Sequence, residues 1–455
     1  MSFFSLNKTF HGNYQYVGYF PHQETDFSPI VSFSLFHYLY DIKSSLDEYG
    51  AQWDTAKKYT NTYEFIHSRV PNRRYSVSRR NPLSRSYFKL IEIMHTFPVL
   101  PAASAGGAGV STFHLAEGPG GFIEAVVDHR RASSDTDTHV GMTLIDIDDD
   151  GVPGWRKSHE TLLRHSGVRI EYGSDGTGNI LSLNNLLHCE QRYGHSMDFV
   201  TADGGFDFSL DFNRQERNMI PLLFAEVCYA LLLQRHRGSF VLKIFDCFYA
   251  ATLDVVFLLC AFYDKVSFFK PQTSRAANSE KYLVCTGFLP TSNKYFAPVL
   301  VSAFERMLAA CSGPPSCAFN ARFLSTPLPY IFLRRMEDCN AIFGQQQLEN
   351  IHQTINLIEN RYRNNKIDVL RRQNINKCVA WCHQHSIPVE AALSLSSSSS
   401  SSTSNGSTKL LAFHADSVPA APSSSSASRT AFEDLDRDLD CDLDFLCERS
   451  ERARR

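Results

Sequence analysis

The chain has 455 residues, 43% of them hydrophobic and 12% aromatic, with 45 basic and 48 acidic side chains and a formal charge of −3. That length allows about three domains, and the charge balance excludes the bulk basic excess that many nucleic-acid binders carry. The acid is unevenly placed, since residues 391–455 hold 7 basic and 10 acidic side chains and the first 390 hold 38 of each. Affinity for a polyanion must therefore come from local clusters. The first residues lack the charged and apolar regions of a secretory signal, and no apolar run approaches the ~20 residues of a membrane span. Twelve irregularly spaced cysteines, none before Cys189, point to reduced thiols in an intracellular protein of nucleus or cytoplasm.

Residues 1–80 read as an N-terminal extension rich in aromatic side chains such as Phe3, Phe4, Tyr16 and Tyr19. Ser84 to Ile93 then reads as the start of an amphipathic helix. From about Ser111 to Phe288, strand-like and helix-like runs alternate, which predicts a doubly wound α/β sheet covered by helices. The expected strands are Thr112–Ala116, His139–Ile145, Val168–Tyr172, Asp198–Ala202, Ser239–Ile244, Val266–Phe269 and Tyr282–Thr286. The expected helices are Phe122–Arg130, Trp155–His165, Ile180–Gln191, Gln215–Arg235 and Ala250–Phe262. No helix separates the last two strands, so they are expected to form an antiparallel hairpin at the sheet edge. The fold class is thus a seven-stranded Rossmann-like sheet in residues 81–290. Residues 291–390 form a mainly helical extension, helical from Gln345 to His385. The serine-rich, acidic residues 391–455 are expected to be disordered, and their acid–hydrophobe alternation offers a docking motif to a protein partner.

Where the first strand meets the first helix the sequence reads Glu117-Gly118-Pro119-Gly120-Gly121-Phe122. Glycines here let backbone approach a ligand outside the carboxyl ends of the strands. The pattern matches neither the dinucleotide nor the phosphate-loop spacing, so nicotinamide cofactors and ATP lose ground. Later strand ends add Thr143 and Asp146, then Asp175 and Asn179, then Asp203. An adenosine without phosphates suits this set, and S-adenosylmethionine is such a ligand.

Lys243 ends an otherwise apolar strand, where a lysine is costly unless paired. Asp203 and Glu280 are expected at neighbouring strand ends, and Lys89 is expected to reach the same cleft. Here the sequence resembles the FtsJ-like (RrmJ-type) RNA ribose 2′-O-methyltransferases. The resemblance rests on Ser84-Arg-Ser-Tyr-Phe-Lys89, Glu117-Gly-Pro-Gly-Gly-Phe122, Ala202-Asp-Gly-Gly205, Val241-Leu-Lys243 and Ser274-Arg with Ser279-Glu280, over about residues 80–290. His114 stands where the family commonly has an aspartate. His-Leu-Ala-Glu-Gly-Pro-Gly-Gly-Phe122, Met142-Thr-Leu144 and Val152-Pro-Gly-Trp155 are closer to the branch of eukaryotes and large DNA viruses that methylates mRNA caps. The resemblance implies a Lys89–Asp203–Lys243–Glu280 tetrad, with Lys243 as the base for a ribose 2′-hydroxyl that attacks a sulfonium methyl. It implies no metal.

Six arginines between Arg69 and Arg85, with no acid among them, lead into Lys89. Arg73, Arg74, Arg79, Arg80 and Arg85 are candidates for RNA phosphates. Capped mRNA is the expected substrate. Ribosomal or transfer RNA ribose is the alternative, as is a non-catalytic RNA-binding subunit. Cys378, Cys382, His383 and His385 lack a second cysteine pair at zinc spacing.

Overall fold

A computed structural model describes residues 3–6, 8, 16–21, 28–101, 109–131, 136–146, 152, 154–158, 162, 165–205, 212–289, 293–311, 321–360 and 364–393. The serine-rich stretch, the acidic tail and residues 159–161, 163 and 164 of the expected Trp155–His165 helix lie outside these residues; Trp155 to Ser158 form turns.

The central sheet runs β1 (Phe3–Leu6), β8 (Tyr263–Phe269), β9 (Lys281–Phe288), β7 (Gln234–Ile244), β6 (Met197–Ala202), β3 (Ser111–Leu115), β4 (Thr138–Met142) and β5 (Val168–Glu171). Pairing is parallel from β7 through β6, β3 and β4 to β5. It is antiparallel where β9 joins β7 and β8. All seven expected strands form, and an eighth joins them. Phe3–Leu6 pairs antiparallel with Val266–Phe269, so the expected hairpin is not the edge of the sheet. Phe4 and Leu6 are buried there, and that burial places the first strand where its own short length could not. A second small sheet pairs β2 (Val17–Pro21) with β10 (Ala321–Leu324).

Side chains alternate across the central strands and sort into two cores. Phe113, Leu115, Val200, Ala202, Phe240, Leu242 and Leu283 pack with α6 (Gln215–Leu233), α7 (Ala250–Phe262) and α8 (Asn293–Cys311) on one face. Phe199, Val241, Tyr282 and Val284 pack on the other face with α3 (Ser86–Thr96) and α4 (Gly121–Arg130). Burial on both faces is why these strands read as near-continuous apolar runs.

Helix α3 departs from the amphipathic expectation, since every residue from Tyr87 to Met94 is buried. Its outer side is covered by Cys378, Trp381 and Cys382 of α10 (Asn364–Gln384), which follows α9 (Tyr330–Glu359). The C-terminal helices begin 15 residues earlier than the sequence pattern indicates. The remaining elements are α1 (Phe33–Ser44), α2 (Gly50–Thr60) and α5 (Leu183–Tyr193).

Candidate active site at the carboxyl ends of the strands

Strand alternation and register assemble the four tetrad residues. Thr201 pairs with Val241, and Lys243 with Tyr282. Phe199, Thr201 and Asp203 therefore share a face with Val241, Lys243, Glu280 and Tyr282 at successive odd or even positions. That is the face roofed by α3, which delivers Lys89. Lys89 Nζ lies 2.8 and 2.9 Å from the two Glu280 carboxylate oxygens. Lys243 Nζ lies 3.4 Å from Asp203 Oδ1 and donates to the Asp203 carbonyl at 2.7 Å.

Two hydroxyls complete the carboxylates. Tyr282 Oη donates to Asp203 Oδ1 at 2.8 Å, and Ser274 Oγ to Glu280 Oε1 at 2.8 Å. Sequence reasoning missed Tyr282, although its position two residues after Glu280 in a strand puts it on the same face. The ion pairs set the titration. Burial opposes the charge on Glu280, but Lys89 and then Lys243 outweigh it and hold its carboxyl well below the usual range. Burial likewise opposes the Lys243 ammonium, yet Asp203, Glu280 and Glu226 together hold it above an ordinary lysine. The direction that the sequence left open is upward.

A third lysine stands beside this cluster. Lys270 Nζ donates to the Glu280 carbonyl at 2.7 Å and to Asn278 O and Oδ1 at 2.7 and 2.9 Å. Burial brings it down to about 7. It braces the turn that carries Glu280. Glu92, one turn after Lys89 on α3, accepts from the N–H groups of Gln272 (2.7 Å) and Thr273 (3.3 Å), and from Trp381 Nε1 (3.3 Å). The lysine helix, the Glu280 loop and the C-terminal helix are thereby tied at one carboxyl.

The glycine loop occupies the adjacent strand ends. Gly118 N–H donates to Thr143 Oγ1 at 3.1 Å, across from β3 to the end of β4. Glu117 Oε1 accepts from the N–H groups of Phe122 (2.6 Å) and Ile123 (3.1 Å), capping α4. Burial nonetheless pushes its carboxyl well up. Gly120 has φ +109°, and a Cβ there would stand 2.2 Å from Leu162 Cδ1, so only glycine fits. Leu144 and Tyr172, following β4 and β5, are 41% and 46% exposed and present apolar faces at the same edge. Glycine backbone beside open apolar faces and the Asp203 carboxylate suits an adenosine-bearing cation.

His114 points elsewhere. Its ring nitrogens meet Thr112 Oγ1 at 2.7 Å and Thr201 Oγ1 at 2.8 Å, and Thr112 also meets His139 Nδ1 at 2.9 Å. Burial holds His114 well below its usual range, so it is a neutral member of a polar row inside the sheet. Asp175 is satisfied within its own loop by Thr177 N–H (2.9 Å), Asn185 Nδ2 (2.9 Å) and Ser182 Oγ (3.2 Å). The Asp146 carbonyl accepts from Arg156 at 3.4 Å.

The arginine run divides. Arg80 lies 2.7 Å from Glu124 and 2.6 Å from Asp128 of α4. Arg85 donates to the Thr273 carbonyl at 2.9 Å and lies 4.0 Å from Glu64, which Arg275 holds at 2.9 Å. Arg73, Arg74 and Arg79 are exposed, with no side-chain hydrogen bond or ion pair among the described residues. Cys378 and Cys382 are buried, and His385 Nδ1 lies 3.0 Å from His95 Nδ1.

The family described as FtsJ-like methyltransferase matches residues 82–288, the span that carries all four tetrad residues. A cap-specific mRNA (nucleoside-2′-O-)-methyltransferase 1 of Trypanosoma brucei brucei is 31% identical over 255 residues, which cover 53% of this chain and 67% of that relative. The chain belongs to the FtsJ-like methyltransferase family. Two further relatives extend the similarity. A cap-specific mRNA (nucleoside-2′-O-)-methyltransferase 2 of Danio rerio is 30% identical over 329 residues, 71% of this chain and 43% of that protein. The enzyme of the same name from Drosophila melanogaster is 26% identical over 331 residues, 71% of this chain and 45% of that protein. The chain thus spans less than half the length of these two methyltransferases. Among the described residues, no helix is long and apolar enough to cross a membrane.

Proposed function

We propose that this FtsJ-like methyltransferase transfers a methyl group from S-adenosylmethionine to a ribose 2′-hydroxyl of RNA, at cap-proximal nucleotides of mRNA. The carrying observation is the pair of ion pairs, Lys89–Glu280 and Lys243–Asp203, side by side at the strand ends and next to the glycine loop. The relatives' names supply the cap.

S-adenosylmethionine supplies the methyl as an electrophilic sulfonium. Glu117 to Phe122, Thr143, Asp146, Asp175 and Asp203 are the residues proposed to hold it. The chain's own task is to orient the hydroxyl and take its proton. Lys243 takes that proton once neutral, while Asp203, fixed by Tyr282, keeps the amine in one position. Glu280 occupies Lys89, so a second cation stands beside the reacting hydroxyl without competing for Asp203. Because Lys243 is held above an ordinary lysine, the rate should climb with pH through the neutral and alkaline range. The exposed Arg73, Arg74 and Arg79 serve phosphates; Arg80 and Arg85 shape the approach through their pairs.

Radiolabelled methyl transfer to capped and uncapped forms of one RNA tests both halves. Transfer should require the cap, and Lys243→Ala should lower kcat by about 10²- to 10⁴-fold. Transfer indifferent to the cap would remove the cap assignment, and full activity in Lys243→Ala would remove the mechanism.

A further inference from the structure

Behind the site, on the opposite face of the sheet, one acid stands in the apolar run from Ile220 to Leu233 of helix α6. Glu226 is 0% exposed and surrounded in sequence by Leu222, Leu223, Phe224, Ala225, Val227 and Cys228, all buried. One carboxylate oxygen accepts the Gly204 N–H at 3.2 Å, and the other has no hydrogen-bond partner among the described residues. A buried carboxyl with one orphaned oxygen is costly, so a fold keeps it only where it does something. Gly204 follows Asp203 directly. A Cβ on Gly204 would stand 2.2 Å from Glu226 Oε1, so the bare glycine is what lets the acid come up against the turn.

We propose that Glu226 is a positioning residue of this site: it anchors the Asp203–Gly205 turn from behind the sheet and helps hold Lys243 as the ammonium in the free protein. Every charged group around it bears on that role. Glu226 interacts electrostatically with Lys243 on β7 and Asp203 after β6. Lys243 also feels Asp203 and Glu280, while Glu117, at the head of α4, feels both Asp203 and Lys243. Burial is the main influence on Glu226 and lifts it to about 8, with Lys243 and the Gly204 N–H pulling the other way. At the alkaline pH where Lys243 gives up its proton, Glu226 is therefore charged and opposes that loss. The charge makes the lysine a reluctant base in the empty site.

Lys243 titration is the test, read by NMR of protein carrying ¹³C-labelled lysine, alongside the pH dependence of methyl transfer. Glu226→Gln keeps an acceptor for Gly204 and removes the charge. Its Lys243 midpoint and the ascending limb of its rate should both move to lower pH by about one unit, which is roughly tenfold more rate at a fixed pH on that limb. Glu226→Leu removes the anchor as well. It should show the same Lys243 shift, with a kcat lowered at every pH. An unchanged Lys243 midpoint in both variants would overturn the proposal, as would a shift in Leu but not in Gln. The consequence for rate rests on the methyl-transfer reading, but the titration does not. A shifted midpoint in a protein that methylates no RNA would leave Glu226 in its role and remove the proposed function instead.

Discussion

The two halves of the sheet's carboxyl edge are built by opposite means. Beyond β6, β7 and β9, side chains do the holding: Lys89, Asp203, Lys243 and Glu280 are locked in ion pairs, with Tyr282, Ser274 and Lys270 fixing the acids and their turns. Beyond β3, β4 and β5, backbone dominates. Gly118 leans on Thr143, Gly120 adopts a conformation closed to other residues, and Leu144 and Tyr172 leave apolar faces open. The difference teaches a division of labour. Under the proposed function, a carbon- and nitrogen-rich ligand would be gripped by shape and main chain, and the proton and methyl chemistry would fall where charges are dense and fixed. Buried ion pairs are weak contributors to net stability, so the charged half is better understood as geometry kept for chemistry.

Breaking the charged half should have the largest effect on folding. Lys89→Met leaves Glu280 buried without its first partner and should cost about 3–5 kcal/mol in chemical denaturation. A loss under 1 kcal/mol would mean that Lys243 and Lys270 suffice for Glu280. Glu64, which binds Arg275 and approaches Arg85, gives a pH test of the same half. Its carboxyl is held down to about 2, although burial opposes this, because Arg275 and Arg85 prevail. A depressed carboxyl contributes stability above its unfolded value near 4.5 and loses it as pH falls towards 2. Glu64→Gln should therefore be less stable than wild type by about 3 kcal/mol at pH 7. The gap should close between about pH 4.5 and 2, as followed by denaturation across that range. A gap independent of pH would place the cost in packing.

The arginine run offers a contrast of its own. Combined Arg73→Ala, Arg74→Ala and Arg79→Ala should leave stability within about 0.5 kcal/mol per site. RNA affinity should fall, with the slope of log K against log salt shrinking by about 0.7 for each lost phosphate contact. An unchanged slope would move the RNA path off this segment. The smallest change sharpens the backbone-built half. Thr143→Val removes the acceptor for Gly118 N–H and should weaken S-adenosylmethionine binding by about 0.5–1.5 kcal/mol in calorimetry, with little change in melting temperature.

Much of this site is readable one residue at a time. A lysine at the end of an apolar strand, an acid after another, and three glycines between strand and helix each carry their own signal. Glu226 had one too, as the single acid in the apolar run from Ile220 to Leu233. Other parts carried less. Tyr282 reads as an ordinary strand aromatic, and only the Lys243–Tyr282 register turns its hydroxyl towards Asp203. Nothing in the sequence separates Arg80 and Arg85 from Arg73, Arg74 and Arg79, because pairing depends on which acids the fold brings near. Glu124, Asp128 and Glu64 do that work.

Local patterns by themselves determined the α/β alternation and the strand positions and marked Lys243 and the glycine loop, because burial on two faces and close backbone approach constrain residue type at single positions. Tertiary structure alone decided the eighth strand, the burial of α3 beneath α10, the retreat of His114 into the sheet and the upward titration of Lys243. Each depends on the distance between groups far apart in the chain, and electrostatic and packing energies follow distance rather than sequence order.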